Sequence, residues 1–142
     1  MPIAPMRLLI VPLFVAAATT ALIAAESRSI WDGIYSPDQV ARGKKSYAAQ
    51  CADCHGEALE GIDKASPLKG PVFLKNWKSK SVHRLIDQTR RTMPPEEPNV
   101  FTRELCADVA AYILSENGYP AGKTELKHDA PDLRQILLEP KK

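Results

Sequence analysis

Cys51-Ala52-Asp53-Cys54-His55 places two thiols three residues apart with an imidazole directly after the second. On one turn of helix such thiols sit side by side. Each can add to a vinyl group of the same porphyrin while the adjacent imidazole lies over the iron, which is the attachment sequence of covalent haem, haem c. Other chemistries of a cysteine pair fit less well. A thioredoxin-like C-x-x-C needs a βαβ setting, and the chain shows no strand pattern strong enough to build a sheet. A zinc site needs a fourth ligand, and His83, His128 and Cys106 show no metal-site spacing with the pair. A Cys51–Cys54 disulfide would leave His55 without a purpose.

A haem iron held by His55 has one more axial position to fill. The chain has three methionines, of which Met1 and Met6 fall in its N-terminal apolar segment, so Met93 is the expected second ligand. It stands 38 residues after His55, at the end of a helical pattern and before Pro94 and Pro95. A thioether is soft and uncharged, favours ferrous iron and raises the reduction potential, as suits an electron carrier. Met93 as a core gap-filler is the bland alternative, and His83 is the runner-up ligand.

Outward from this pair the chain reads as all-α. Ser36 and Gln39 form an S-x-x-Q capping box with Pro37 at the first helical position, which predicts a helix over Pro37–Gln50 with Val40, Lys44, Tyr47 and Ala48 on one face. Gly43 inside it costs about 1 kcal/mol in helix propensity, so something is expected to pack closely there. From Gly56 to Gly70 there is no sustained period, and a long ordered loop is expected. A second helix is predicted over Ser81–Arg91 with Val82, Leu85, Ile86 and Thr89 facing inward, ended by Thr92-Met93-Pro94-Pro95. A third runs over Thr102–Asn117 with Leu105, Val109, Tyr112 and Ile113 as its stripe and Gly118 and Pro120 as its stop. Cys106 shares that stripe and reads as a small buried residue, with a reactive or dimerising thiol as the alternative. In the tail, Leu133, Ile136, Leu137 and Leu138 suggest a short docking helix or an extended strap.

At the other end, Leu8–Ala25 is an uncharged run of 18 residues behind a single basic side chain, Arg7. It reads as a secretory signal peptide cut near Ala24 or Ala25, the rival being an uncleaved membrane anchor. Either way the domain is placed outside the cytoplasm. The expected organisation is leader 1–25, N-terminal extension 26–35, haem domain 36–120 and a tail 121–142 that packs on it. Without Arg7, 18 Lys plus Arg face 17 Asp plus Glu, too even a balance for a nucleic-acid binder. The 44% apolar and 25% charged residues exclude wholesale disorder, and three cysteines are too few for a disulfide scaffold.

The order of helix, C-x-x-C-H, long loop, helix, Met-Pro and final helix resembles a class I c-type cytochrome over about Ser36–Gly118. That resemblance implies several helices wrapped around one covalently bound haem, with Cys51, Cys54, His55, Met93 and Trp77 around the cofactor and His55 and Met93 on the iron. It also implies that Gly43 and Tyr47 cross Ala111-Tyr112-Ile113, and that the indole of Trp77 lies near a haem propionate, plain core packing being the alternative. The family commonly has proline at position 66, where its carbonyl orients the ligating imidazole. Here Ser66 stands there and Pro67 follows, leaving either carbonyl as the acceptor from His55. Trp31-Asp32-Gly33-Ile34-Tyr35, Gln39, Arg42-Gly43, Pro67-Leu68-Lys69-Gly70, Phe73, Trp77 and Gly118-Tyr119-Pro120-Ala121-Gly122 are similar to small bacterial cytochromes linked to quinoprotein alcohol dehydrogenases. Trp31 reads as an anchor for the N-terminal segment.

The function so implied is periplasmic single-electron transfer by a monomeric carrier, not an enzyme. Its partners are redox proteins, a quinoprotein dehydrogenase and a terminal oxidase in the narrower resemblance. The alternatives are a cytochrome subunit of such a dehydrogenase, and a haem enzyme or gas-binding protein with an open sixth position. Lys44, Lys45, Lys64, Lys69, Lys75, Lys78 and Lys80 invite docking by an acidic partner. Asp53, Glu57, Glu60 and Asp63 interrupt them, so a solvated surface is the simpler reading.

Overall fold

The sharpest packing constraint falls on Gly43. A β-carbon there would lie 1.9 Å from the Asp108 carbonyl oxygen and 3.0 Å from Cβ of Tyr112. Only a residue without a side chain lets the two backbones approach this closely. Beside the contact, the rings of Tyr47 and Tyr112 meet at 5.3 Å between centroids, tilted by 59°. Arg42 reinforces it from the surface with a two-pronged bond to Asp108 at 2.9 and 3.0 Å and a third to Glu125 at 2.8 Å. The crossing implied by the family resemblance is thus present, and the low helix propensity of Gly43 has its reason.

The computed structural model describes residues 28–141, so the leader expected over 1–25 lies outside the described residues. The described chain forms α1 (Pro37–Gln50), α2 (Ala52–His55), α3 (Gly70–Trp77), α4 (Val82–Thr92) and α5 (Arg103–Glu116), with 3-10 turns at Ile30–Asp32 and Pro131–Arg134. Among the described residues there is no strand; a single antiparallel bridge joins Ser81 to Leu137. The fold is all-α. Serine or threonine caps three of the helices: Ser36 accepts from Gln39 N, Ser81 from Arg84 N and Thr102 from Leu105 N.

Three details differ from the sequence reading. Only half of the expected capping box forms, because the Gln39 side chain turns inward. Its amide donates to the Leu126 carbonyl at 2.9 Å and accepts from Leu126 N at 2.7 Å, a buried clamp on the tail. The buried face of α1 is accordingly Gln39, Gly43 and Tyr47 rather than the face through Lys44 and Ala48, both exposed. Third, α3 occupies residues 70–77, for which no helix was expected; it begins at Gly70-Pro71 and buries only Phe73.

Around the helices the two chain ends form a second packed layer. Ile30, Ile34, Tyr35, Tyr119, Leu126, Leu133, Ile136 and Leu138 are buried. The Tyr35 hydroxyl donates to the Tyr119 carbonyl, Trp31 Nε1 donates to the Glu139 carbonyl at 3.1 Å, and Arg28 pairs with Asp132 at 2.7 Å. Trp31 is therefore an anchor, as read. Both readings of the tail apply in part, with a short 3-10 turn followed by an extended strap in which Leu137 alone of the four apolar residues is exposed.

Replacing Gly43 with Ala should force α1 and α5 apart and lower stability by about 2–3 kcal/mol, the upper part of the usual overpacking range. Thermal unfolding of the purified protein checks this, and an unchanged midpoint would contradict the closeness of the crossing.

Candidate functional site

α1 runs to Gln50, Cys51 breaks from helical geometry, and α2 is a single turn that holds Ala52 to His55. That turn is pinned on both sides. Cys51 N donates to the Tyr47 carbonyl at 2.8 Å and His55 N to the Cys51 carbonyl at 2.9 Å. Gly56 follows at φ +81, the left-handed region, and its carbonyl accepts from the buried Tyr47 hydroxyl at 2.7 Å. The 56–70 loop is ordered, as expected: Ile62 N reaches the Cys54 carbonyl at 3.1 Å, Gly61 N the His55 carbonyl at 2.8 Å and Leu68 N the Leu59 carbonyl at 2.9 Å.

This folding of the loop fixes the imidazole. Nδ1 of His55 lies 3.0 Å from the Ser66 carbonyl, so Ser66 rather than Pro67 is the acceptor that the sequence left open. With its proton on Nδ1, the ring keeps a lone pair on Nε2 for a metal. Burial pushes the Cys51 thiol up to about 11, with lesser contributions from Cys106 and Cys54.

Cys51, Cys54 and His55 line one wall of a half-open apolar cleft. Met93, Pro94 and Pro95 line it as well, as does Trp77. The rest is contributed chiefly by Leu68, Leu85, Phe101, Val109 and Ile113. Among the lining residues, Thr89 and Thr92 spend their hydroxyls within α4, donating to the Leu85 and Gln88 carbonyls at 2.8 Å each. All five residues singled out from the sequence thus share one cavity. Its apolar lining and its donor set of two thiols, an imidazole and a thioether fit a covalently held haem.

Two other sequence readings are also placed. His83 lies elsewhere, in a polar hollow with Arg103, His128 and Arg134, and does not line the cleft. Cys106 is buried, and desolvation raises its thiol to about 11. Among the described residues no three His, Cys, Asp or Glu side chains come together to hold a metal ion. Among the lining residues not anticipated as such, with Gln50 and Phe101, are Gln88 and Thr92, which with Leu85 and Thr89 follow the i, i+3, i+4, i+7 stripe of α4. Their polarity hides them in the sequence, where a polar residue on a helix reads as solvent-facing.

Residues 38–113, more than half of the chain, match the family model described as cytochrome c oxidase, cbb3-type, subunit III. The chain belongs to this cytochrome c family. It is a monohaem class I c-type cytochrome, and one haem c with its iron is its covalent cofactor. Among solved structures, the cytochrome is similar to a chain in the crystal structure of the sulfane dehydrogenase SoxCD from Paracoccus pantotrophus. The identity is 25% and the TM-score 0.54, over 75% of this chain and 61% of that one. The cytochrome thus matches less than two thirds of that chain's length. No curated protein matches it.

In the Tyr47→Phe variant the buried Gly56 carbonyl loses its partner directly behind His55. We expect a loss of about 1–2 kcal/mol in denaturant unfolding, the cost of one unsatisfied buried acceptor; a loss below 0.3 kcal/mol, on the same reasoning, would show that the bond does not brace the turn.

Proposed function

We propose that this cytochrome is an exported single-electron carrier of the periplasm. In this reading Cys51 and Cys54 hold the haem through thioether bonds, and His55 and Met93 take the two sides of its iron. The observation that carries the reading is the convergence of Cys51, Cys54, His55 and Met93 on one apolar cleft although Met93 is 38 residues from His55. The bound haem supplies a ferric/ferrous couple.

The chain's own residues set the conditions for that couple. The Ser66 carbonyl holds the His55 proton on Nδ1 and fixes the plane of the ring. Met93 brings an uncharged sulfur from the C-cap of α4, which favours the reduced state. Leu68, Leu85, Phe101, Val109 and Ile113 keep water from the cleft, which disfavours the more highly charged oxidised state. Both ligands come from short segments braced by backbone hydrogen bonds, so little reorganisation accompanies a change of charge. Trp77 closes another part of the wall, stacked on the buried Phe73 at 5.8 Å. We assign its indole the propionate contact that the family resemblance implies. The solvent-facing mouth of the cleft is the exit for electrons.

Redox proteins are the partners, and a dehydrogenase is our choice of donor. The sulfane dehydrogenase structure supports that class, and the likeness to cytochromes of quinoprotein alcohol dehydrogenases suggests its type. A terminal oxidase is the acceptor in the same reading. The same likeness favours, as a second reading, a cytochrome subunit that stays bound to its dehydrogenase. Among the described residues no helix is long and apolar enough to cross a membrane. Export rests on the leader over 1–25.

The ligand assignment is open to a direct test in Met93→Ala. The variant should lose the weak long-wavelength sulfur-to-iron absorption band, fall in reduction potential, and bind carbon monoxide readily when reduced, whereas the wild type resists it. A wild type that binds carbon monoxide rapidly at neutral pH would instead indicate an open sixth position and a gas-binding or catalytic haem.

A further inference from the structure

The helix that ends at Met93 is held in an uneven way. The buried side chains of α4 are Val82, Leu85 and Ile86, all in its first half, and from Asp87 onward none is buried. Its N-terminal end is fastened by the chain's tail. Val82 N donates to the Ile136 carbonyl at 2.9 Å, Leu138 N to the Lys80 carbonyl at 2.9 Å and Ser79 N to the Leu138 carbonyl at 3.0 Å. The Ser79 hydroxyl adds a bond to the Glu139 carboxylate at 2.8 Å.

The same segment governs Trp77. Lys80 N donates to the Trp77 carbonyl at 3.0 Å, and the Lys80 ammonium lies 5.3 Å from the centre of the Trp77 ring. Between them, Ser79 takes a left-handed φ of +59, a conformation that a serine adopts only where its surroundings hold it. The strap supplies that hold, through bonds to the amide and the hydroxyl of Ser79. The strap is in turn locked to the N-terminal extension by Trp31 Nε1 on the Glu139 carbonyl, and the 3-10 turn before it by the pairing of Arg28 with Asp132.

We propose that the strap Ile136–Glu139, locked by Trp31, is a positioning element that keeps Met93 seated in the haem cleft by fixing the N-terminal end of α4. This rests on the reading of Met93 as an iron ligand. Leverage makes the coupling effective: a helix of this length spans about 16 Å, so a pivot of about 10° at Val82 carries its far end by nearly ~3 Å, enough to unseat a ligand. Beyond the packing of Leu85 and Ile86, the hydrogen bonds at the opposite end are local, with Met93 N on the Thr89 carbonyl at 3.1 Å, Asn99 N on the Arg90 carbonyl at 2.9 Å and the Arg90 guanidinium on Asn99 Oδ1 at 3.0 Å.

The test uses the holoprotein and added imidazole, which binds ferric iron only by displacing the native sixth ligand. Leu138→Pro removes the amide that bonds to Lys80, and Trp31→Phe removes the indole donor while keeping a ring. Ser36→Ala, which uncaps α1 away from the strap, serves as a comparator of general destabilisation. We expect both strap variants to retain haem and the sulfur-to-iron band, yet to bind imidazole at least tenfold more tightly than wild type, with Ser36→Ala within about twofold of it. If Leu138→Pro does not accumulate, Trp31→Phe decides alone. Affinities that stay at the wild-type value, or that rise equally in Ser36→Ala, would overturn the proposal. Failure of the ligand assignment would look different: the wild type itself would lack the band.

Discussion

This fold is organised around an apolar cleft that takes side chains from four separate parts of the described chain. Leu68 from the loop, Trp77 from α3, Leu85 from α4, and Val109 and Ile113 from α5 all line it. Side chains in such a position gain their burial from a group the polypeptide does not itself contain. A planar apolar cofactor tethered at two points satisfies that requirement and makes its own retention independent of binding equilibrium. The second half of α4 buries no residue against the described chain, and its Gln88, Thr89 and Thr92 line the cleft instead.

What does not depend on the cofactor is built separately. The crossing of α1 and α5 at Gly43 and Asp108, with the Tyr47 ring tilted against Tyr112, forms a rigid frame on which the C-x-x-C-H turn is mounted. A second layer of chain ends, joined through Trp31, Tyr35, Tyr119 and the tail, braces the start of α4 from outside. In the proposed reading the frame holds the His55 side of the cleft and the outer layer the Met93 side, so the two expected ligands depend on different parts of the fold.

Much of this was legible in the sequence because chemistry narrows the choices. The adjacency of Cys51, Cys54 and His55 admits few purposes, and Met93 was singled out by the scarcity of methionine and by the prolines after it. Gly43 announced a close approach because nothing else justifies glycine in mid-helix. Helix α3 was missed because a short segment opening on Gly70-Pro71, with one buried side chain, has too little periodicity to register. The inward turn of Gln39 was hidden for another reason. A capping box is a local pattern, and the competing partner, the Leu126 backbone, lies 87 residues away in sequence. The Ser66 carbonyl likewise became the acceptor through the fold of the loop, which spacing alone does not encode.

Covalent attachment of one haem at Cys51 and Cys54 is the central claim, and mass spectrometry of the tryptic peptide Ser46–Lys64 from protein made with a competent maturation system tests it most directly. The expected result is a single species heavier than the bare peptide by one haem, with neither thiol open to alkylation. A peptide of unmodified mass whose two thiols alkylate, or one shortened only by the two hydrogens of a disulfide, would contradict it.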